Sequence, residues 1–291
     1  MTDTPLFEVR DLHQTYVRSR GSLVGRPARI TALHGVSFDI IRGQRFGIVG
    51  ESGSGKSTLL RLLCGLQSPT SGSVRFAGRE IAGKPERLIR FLRAEVQLVF
   101  QDPMSALDPR MRVRNIITEP LLTQRQPDPR QRVREVLAAV GLPPDAGDRF
   151  PHQFSAGQRQ RISIARALAT RPSVLLADEP VSALDVSVRA QILNLLADLV
   201  KEYSLTLVFV SHDLLVVRHV CDTVAVLHEG RLVELGPTEQ VHDAARHPYT
   251  RQLIAAVPTI RRALADVRAA EPSHGVATIG AVPIDSPKDS S

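Results

Sequence analysis

Nine residues, GESGSGKST at 50–58, constrain this chain more than any other stretch. Three glycines, three serines and a threonine surround a single lysine, too few large side chains to build a core. A buried-strand pattern, RFGIVG at 45–50, runs into the stretch, and STLLRLLCGL leaves it with helical spacing. Gly50-x4-Gly55-Lys56-Ser57 matches G-x-x-x-x-G-K-[ST], in the strand–loop–helix context which that pattern requires. Glycines let successive backbone N–H groups turn into one concavity, and the dipole of the helix that follows favours negative charge there. Lys56 supplies a point charge for β- and γ-phosphates, and Ser57 a hydroxyl for Mg²⁺. Arginine is this chain's habitual cation, and Lys56, Lys84, Lys201 and Lys288 are its only lysines. The bland alternative is a flexible glycine–serine turn. The pattern implies a bound nucleoside triphosphate, without saying which base it carries or whether it is split.

A second element points the same way. VLLADEP at 174–180 is a buried strand whose end carries Asp178 and Glu179. Asp178 has the position of the Mg²⁺-side carboxylate of a phosphate-loop NTPase, and Glu179 is placed to polarise an attacking water. The alternative is a surface strand end with two solvated acids.

The rest of the chain supplies a frame. FEVRDL (7–12) and VSFDI (36–40) alternate as half-buried strands around a loop at 18–30. SGSVRFAG (71–78), VQLVF (96–100), SVLLAD (173–178) and LTLVFVS (205–211) read as further strands, with a helix at QILNLLADLVKEY (191–203). DTVAVLHEGRLVELG predicts a hairpin turned at Glu229-Gly230, and HPYTRQLIAAV a short closing helix. VRNIITEPLL, QRVREVLAAVGL and SAGQRQRISIARALA have helical spacing and stand between two strands. The expected fold class is therefore α/β: a P-loop NTPase core, mostly parallel sheet with flanking helices, plus an N-terminal antiparallel β subdomain and an inserted helical subdomain. Residues 1–103 and 171–258 are assigned to the nucleotide-binding core with the antiparallel subdomain, 104–170 to the helical insert, and 259–291 to a loosely ordered tail.

Composition excludes some classes. No apolar run approaches the ~20 residues of a membrane helix, and MTDTPLFEVR lacks a signal pattern. Cys64 and Cys221 offer neither a disulfide framework nor metal-ligand spacing. The net charge of +7 comes from scattered arginines without aromatic interleaving, a solvated surface rather than a nucleic-acid face.

Five motifs in order resemble the ATPase subunits of ABC transporters, across residues 6 to about 245. After the phosphate loop come LVFQDP with Gln101, FSAGQRQR (154–161) in the place of the signature, the ADEP strand end, SALD (182–185) in the place of the D-loop, and VSHD with His212 at the switch position. The resemblance implies that Glu179, His212 and Gln101 are catalytic, with His212 on the γ-phosphate, and that Ser57, Gln101 and Asp178 hold Mg²⁺. It implies an ATP-binding set of Tyr16, Gly50, Ser52, Gly53, Ser54, Gly55, Lys56, Ser57, Thr58, Ser155, Gly157, Gln158 and Asp185. Tyr16 would stack on adenine, unless it is simply a core aromatic. Ser155 and the Gly157 backbone would complete the site of a partner subunit, and Asp185 would organise the interface. One departure stands out: the signature carries Ala156-Gly157 where two glycines are usual, harmless if position 156 is helical and damaging if it needs positive φ.

QDPMSALDPRMRVRNIITEPL, HPYTRQLIAAVP and the long first loop resemble the oligopeptide and dipeptide importer class. That class implies a second ABC ATPase, generally a different chain, two transmembrane permeases and an extracytoplasmic substrate-binding protein, with no nucleic-acid partner. It implies a peripheral place on the cytoplasmic face of the membrane. With no cysteine after Cys221, no iron–sulfur cluster is expected. The alternatives are the same role for nickel, glutathione or another small solute, a soluble ABC-type protein acting on nucleic acid, and a subunit that binds nucleotide without turnover.

Overall fold

The computed structural model describes residues 4–18, 28–122 and 129–256. The expected tail and most of the first loop lie outside these residues. Two long strands, β1 (Pro5–Arg18) and β2 (Ala28–Ile41), pair antiparallel, followed by β3 (Arg45–Val49), α1 (Lys56–Leu63), β4 (Ser71–Phe76) and β5 (Arg79–Glu80). Next come α2 (Glu86–Ile89), α3 (Leu92–Glu95) and β6 (Val96–Val99). Every described element between β6 and β7 (Val174–Asp178) is helical: α4 (Pro103–Ala106), α5 (Val113–Leu122), α6 (Pro129–Ala139), two 3₁₀ turns and α7 (Ala156–Leu168). The chain continues through α8 (Val186–Glu202), β8 (Thr206–Ser211), α9 (Leu214–Val220), β9 (Thr223–His228), β10 (Arg231–Pro237), α10 (Thr238–Asp243) and α11 (Pro248–Ala256).

The strands form two sheets. One is antiparallel, ordered β2-β1-β4-β5; the other is ordered β10-β9-β3-β8-β7-β6, with five parallel strands and β10 antiparallel at its edge. β1 extends well past the six residues expected from alternation. Its register passes from Val9↔Phe38 to Leu12↔Val36, so β1 takes three steps where β2 takes two. The extra residue is a bulge at Asp11, with φ +45° and its N–H donated to Ser37 Oγ at 2.8 Å. The bulge returns Leu12 to the buried side occupied by Val9, and pairing continues to Arg18. The hairpin at Glu229-Gly230 turns as expected, with φ of 47° and 73°, the pair of positive values that a type I′ turn requires.

The parallel strands are apolar throughout because both faces are covered. On one face Phe46, Ile48, Leu176, Val208 and Val210 pack with Leu59 and Leu63 of α1 and with the antiparallel sheet. Phe38 stacks on Phe46 at 5.2 Å and joins the two sheets. On the other face Leu175, Ala177, Leu207, Phe209 and Val224 pack with Ile164, Leu196 and Val217 from the helices. A Cβ on Gly47 would lie 2.2 Å from Val217 Cγ1, so β3 and α9 touch through the absence of a side chain. Gly47→Ala should therefore cost roughly 1–3 kcal/mol by overpacking, read as a lower midpoint in chemical denaturation. An unchanged midpoint would contradict this contact.

Candidate functional site

Parallel register gathers the predicted residues at one edge of the sheet. Val49 pairs with Ser211, Asp178 with Val210 and Val99 with Ala177. The next residues along β3, β8, β7 and β6 are Gly50, His212, Glu179 and, one beyond Phe100, Gln101. Ligands of open α/β sheets bind at such carboxyl ends.

The loop from Gly50 to Gly55 is shaped by close approaches. A Cβ on Gly50 would meet the Leu227 carbonyl at 2.2 Å and Ser54 Oγ at 2.6 Å. Gly55, with φ +103°, would press on the Ala32 carbonyl at 2.6 Å. Gly53, by contrast, faces open space, and Ser52 beside it is exposed. No side chain caps α1, so its first N–H groups are left for a ligand. Ser54 is buried, and its hydroxyl has no hydrogen-bond partner.

Lys56 is buried, and its Nζ donates to the Gly50 carbonyl at 2.7 Å and the Glu51 carbonyl at 2.8 Å. Burial pushes its pKa down, while the charges of Glu179 and Asp178 oppose that shift. Burial likewise pushes the Asp178 pKa up, tempered by a hydrogen bond from Ser57 and by the Lys56 charge. A cation and two carboxylates are thus held together in a partly desolvated place, the environment in which a phosphate ligand and its counter-ion gain most.

Glu179 has φ +44°, an uncommon backbone for a residue with a side chain. Three hydrogen bonds hold it there: its N–H donates to the Val210 carbonyl at 3.0 Å, and its carbonyl accepts from Ser182 Oγ at 3.1 Å and from Ser182 N at 3.2 Å. The turn aims its carboxylate at His212, whose Nδ1 lies 3.1 Å from Oε2. The two residues expected to act on the terminal phosphate are direct partners. Strain of this kind gathers at functional sites, and no motif in the sequence announces it. Tyr16 is half-buried near the start of α1, its hydroxyl 3.3 Å from Thr58 Oγ1 and donating to Gln67 Oε1 at 3.0 Å. It belongs to the rim of the loop rather than the core.

The signature residues lie elsewhere. Ser155 is the N-cap of α7: its Oγ accepts from Gln158 N at 3.3 Å, and Gln158 Oε1 accepts from Ser155 N at 3.0 Å. This capping box occupies the Gln158 side-chain carbonyl. Ala156 is the first residue of α7 and has helical backbone, so its methyl meets no conformational penalty. A Cβ on Gly157 would lie 2.5 Å from Val188 Cγ1, which sets α7 directly against α8. Asp185, exposed, occupies the N-cap position of α8. Among the described residues, no hydrogen bond links the start of α7 to the phosphate loop.

Sequence reasoning missed one contact. The Tyr249 hydroxyl, from α11, accepts the Glu51 N–H at 2.9 Å. Nothing local in the HPYT segment ties it to a loop 198 residues away.

Comparison with known proteins agrees with this geometry. Residues 33–182 match the family model described as ABC transporter, just over half of the chain. The chain belongs to the ABC transporter family. It is an ABC-type ATPase with a P-loop NTPase fold. Residues 233–278 match the C-terminal region of oligopeptide/dipeptide transporters. The di/tripeptide transport ATP-binding protein DppF of Pseudomonas aeruginosa is 47% identical over 254 residues, covering 86% of this chain and 78% of that protein. The oligopeptide transport ATP-binding protein AppF of Bacillus subtilis is 45% identical, covering 88% and 79%. Among solved structures, the ATP-binding cassette MJ0796, a dimer bound to ADP and Pi, is 31% identical with a TM-score of 0.70, covering 80% of this chain and 98% of that one. CbiO1 of Clostridium perfringens, part of the transporter complex cbiONQ, gives 28% and 0.71, covering 91% and 95%. Among the described residues, no helix is long and apolar enough to cross a membrane.

The capping box gives the signature a measurable structural weight. Ser155→Ala should lower stability by about 1 kcal/mol through loss of the N-cap, read from chemical denaturation of the full chain. No change would mean that the cap does not hold α7.

Proposed function

We propose that this chain is the ATP-hydrolysing subunit that energises import of peptides across a membrane, working from its cytoplasmic face. The carrying observation is the Glu179–His212 pair at the strand ends beside a buried Lys56. The peptide-transport names of relatives at 45–47% identity support the substrate class over nickel, glutathione or another solute.

In this reading the γ-phosphate draws Lys56 Nζ away from the carbonyls of Gly50 and Glu51. The N–H groups at the start of α1 meet the phosphate oxygens. Glu179 polarises the attacking water, and His212 orients the carboxylate and bonds the γ-phosphate. Tyr16, at the rim, stacks on adenine. The donor set suits Mg²⁺: the Ser57 hydroxyl, the Asp178 carboxylate beside it and the Gln101 amide are hard oxygen ligands. Among the described residues, no group of three or more His, Cys, Asp or Glu could hold a metal alone. A Mg²⁺ ion held by the Ser57, Asp178 and Gln101 oxygens would complete its shell with water and phosphate oxygens. When bound, it neutralises charge on the β- and γ-phosphoryl oxygens.

The partner is a second ABC ATPase, a different chain in this class, whose phosphate loop would receive Ser155 and Gly157. Their position away from this chain's own loop supports that role, as do exposed Asp185 and the neighbouring Val186, an apolar side chain left 80% exposed. The helical segment 104–170 would transmit nucleotide-driven motion to two transmembrane permeases, which receive solute from an extracytoplasmic binding protein. No nucleic acid is involved.

Glu179→Gln tests the reading in the complex reconstituted with its permeases. ATP-driven uptake should fall by roughly 10²- to 10⁴-fold, the contribution of a positioned base, while nucleotide binding persists. Uptake at the wild-type rate would overturn the assignment.

A further inference from the structure

The peptide group joining Gly50 to Glu51 is gripped on both edges. Its N–H donates to the Tyr249 hydroxyl at 2.9 Å, and its carbonyl, that of Gly50, accepts from Lys56 Nζ at 2.7 Å. A trans peptide is planar, with N–H and C=O pointing to opposite sides. Turning this unit to free one bond breaks the other. The hydroxyl of Tyr249 therefore fixes the carbonyl against which the phosphate-binding ammonium is parked. The Glu51 carbonyl is fixed in turn, accepting from Lys56 Nζ at 2.8 Å and from Ser54 N at 3.2 Å.

Tyr249 is itself held firmly. It is buried, and its ring stacks on His228 at 3.8 Å between centroids. His228 ends β9, immediately before the Glu229-Gly230 turn, and Gly230 N donates to the Ser54 carbonyl at 3.1 Å. The approach to α11 is pinned by Glu234 of β10, whose carboxylate accepts from Arg246 N at 2.9 Å and His247 N at 3.1 Å. The Tyr249 N–H caps back onto His247 Nδ1 at 3.2 Å. The back of the loop is thus built from β9, β10 and α11, within and beside the segment that matches the oligopeptide/dipeptide C-terminal region.

We propose that Tyr249 is a positioning residue for the nucleotide, through which the C-terminal segment sets the affinity of the phosphate loop for a nucleoside triphosphate. The proposal rests on that loop being the nucleotide site. Tyr249→Phe removes the hydroxyl and keeps the ring on His228. Binding of Mg·ATP to the full chain should weaken roughly three- to tenfold, the equivalent of one net hydrogen bond. In the assembled ATPase the KM for ATP should rise by a similar factor, with kcat little changed. The Glu51 amide should exchange with solvent faster, while the melting temperature stays close to that of the wild type.

Unchanged affinity and unchanged Glu51 exchange would overturn the proposal. So would a lower melting temperature with normal affinity, the mark of a merely structural contact. Should the variant not fold, the nucleotide-free wild type still decides: its Glu51 amide should exchange far more slowly than that of open Gly53, and equal rates would overturn the proposal. Lys56→Ala separates the two readings, because normal ATP binding by that variant would mean that the nucleotide site itself lies elsewhere.

Discussion

A single buried ammonium organises this molecule. Lys56 has lost most of its water and, among the described residues, holds only two backbone carbonyls, with two carboxylates near enough to oppose the effect of burial on its charge. Such a cation is costly to leave without an anion. The fold maintains it because the surrounding backbone is over-determined. Leu227 crowds the loop at Gly50 and Ala32 at Gly55, while Gly230 and Tyr249 bond to it from behind. The six-stranded sheet supplies the rest by bringing four strand ends level, so that Asp178, Glu179 and His212 arrive from different parts of the sequence at one place.

The division between loop and signature has a mechanical meaning. A chain whose phosphate loop and signature were neighbours could close its own site and would gain nothing by associating. Here the start of α7 is held by its own capping box and by Val188 of α8, and it presents exposed Ser155 and Ala156 outward. In the proposed function, a triphosphate bound between two such subunits would contribute to their association and, once cut, would withdraw that contribution. The proposed transport cycle needs little more than this linkage and a lever to carry it.

Much of this was legible because the informative signals are local. The loop reads from Gly50 to Ser57 without a gap, the β7 carboxylates follow a buried strand, and Glu229-Gly230 turns the hairpin that its neighbours imply. Other features depend on relations that a linear pattern does not carry. The bulge at Asp11 shifts the alternation of β1, which hides half of the strand from a period-2 reading. LLVVRHV, the whole of α9, is too short and too uniformly apolar to declare its period, and its N-cap at Asp213 shows only in the structure. The left-handed backbone at Glu179 and the reach of Tyr249 to Glu51 are tertiary in origin, imposed by Val210, Ser182 and the packing of α11.

The central claim is that one triphosphate engages the loop at 50–58 and the ends of β7 and β8 together. Amide hydrogen exchange of the full chain, with and without Mg·ATP, tests it most directly. The account predicts that nucleotide slows exchange at 50–58 and around Asp178–Glu179 and Ser211–His212 in one concerted step. Protection that left the 50–58 loop untouched, or that fell on the helices between β6 and β7 instead, would contradict it.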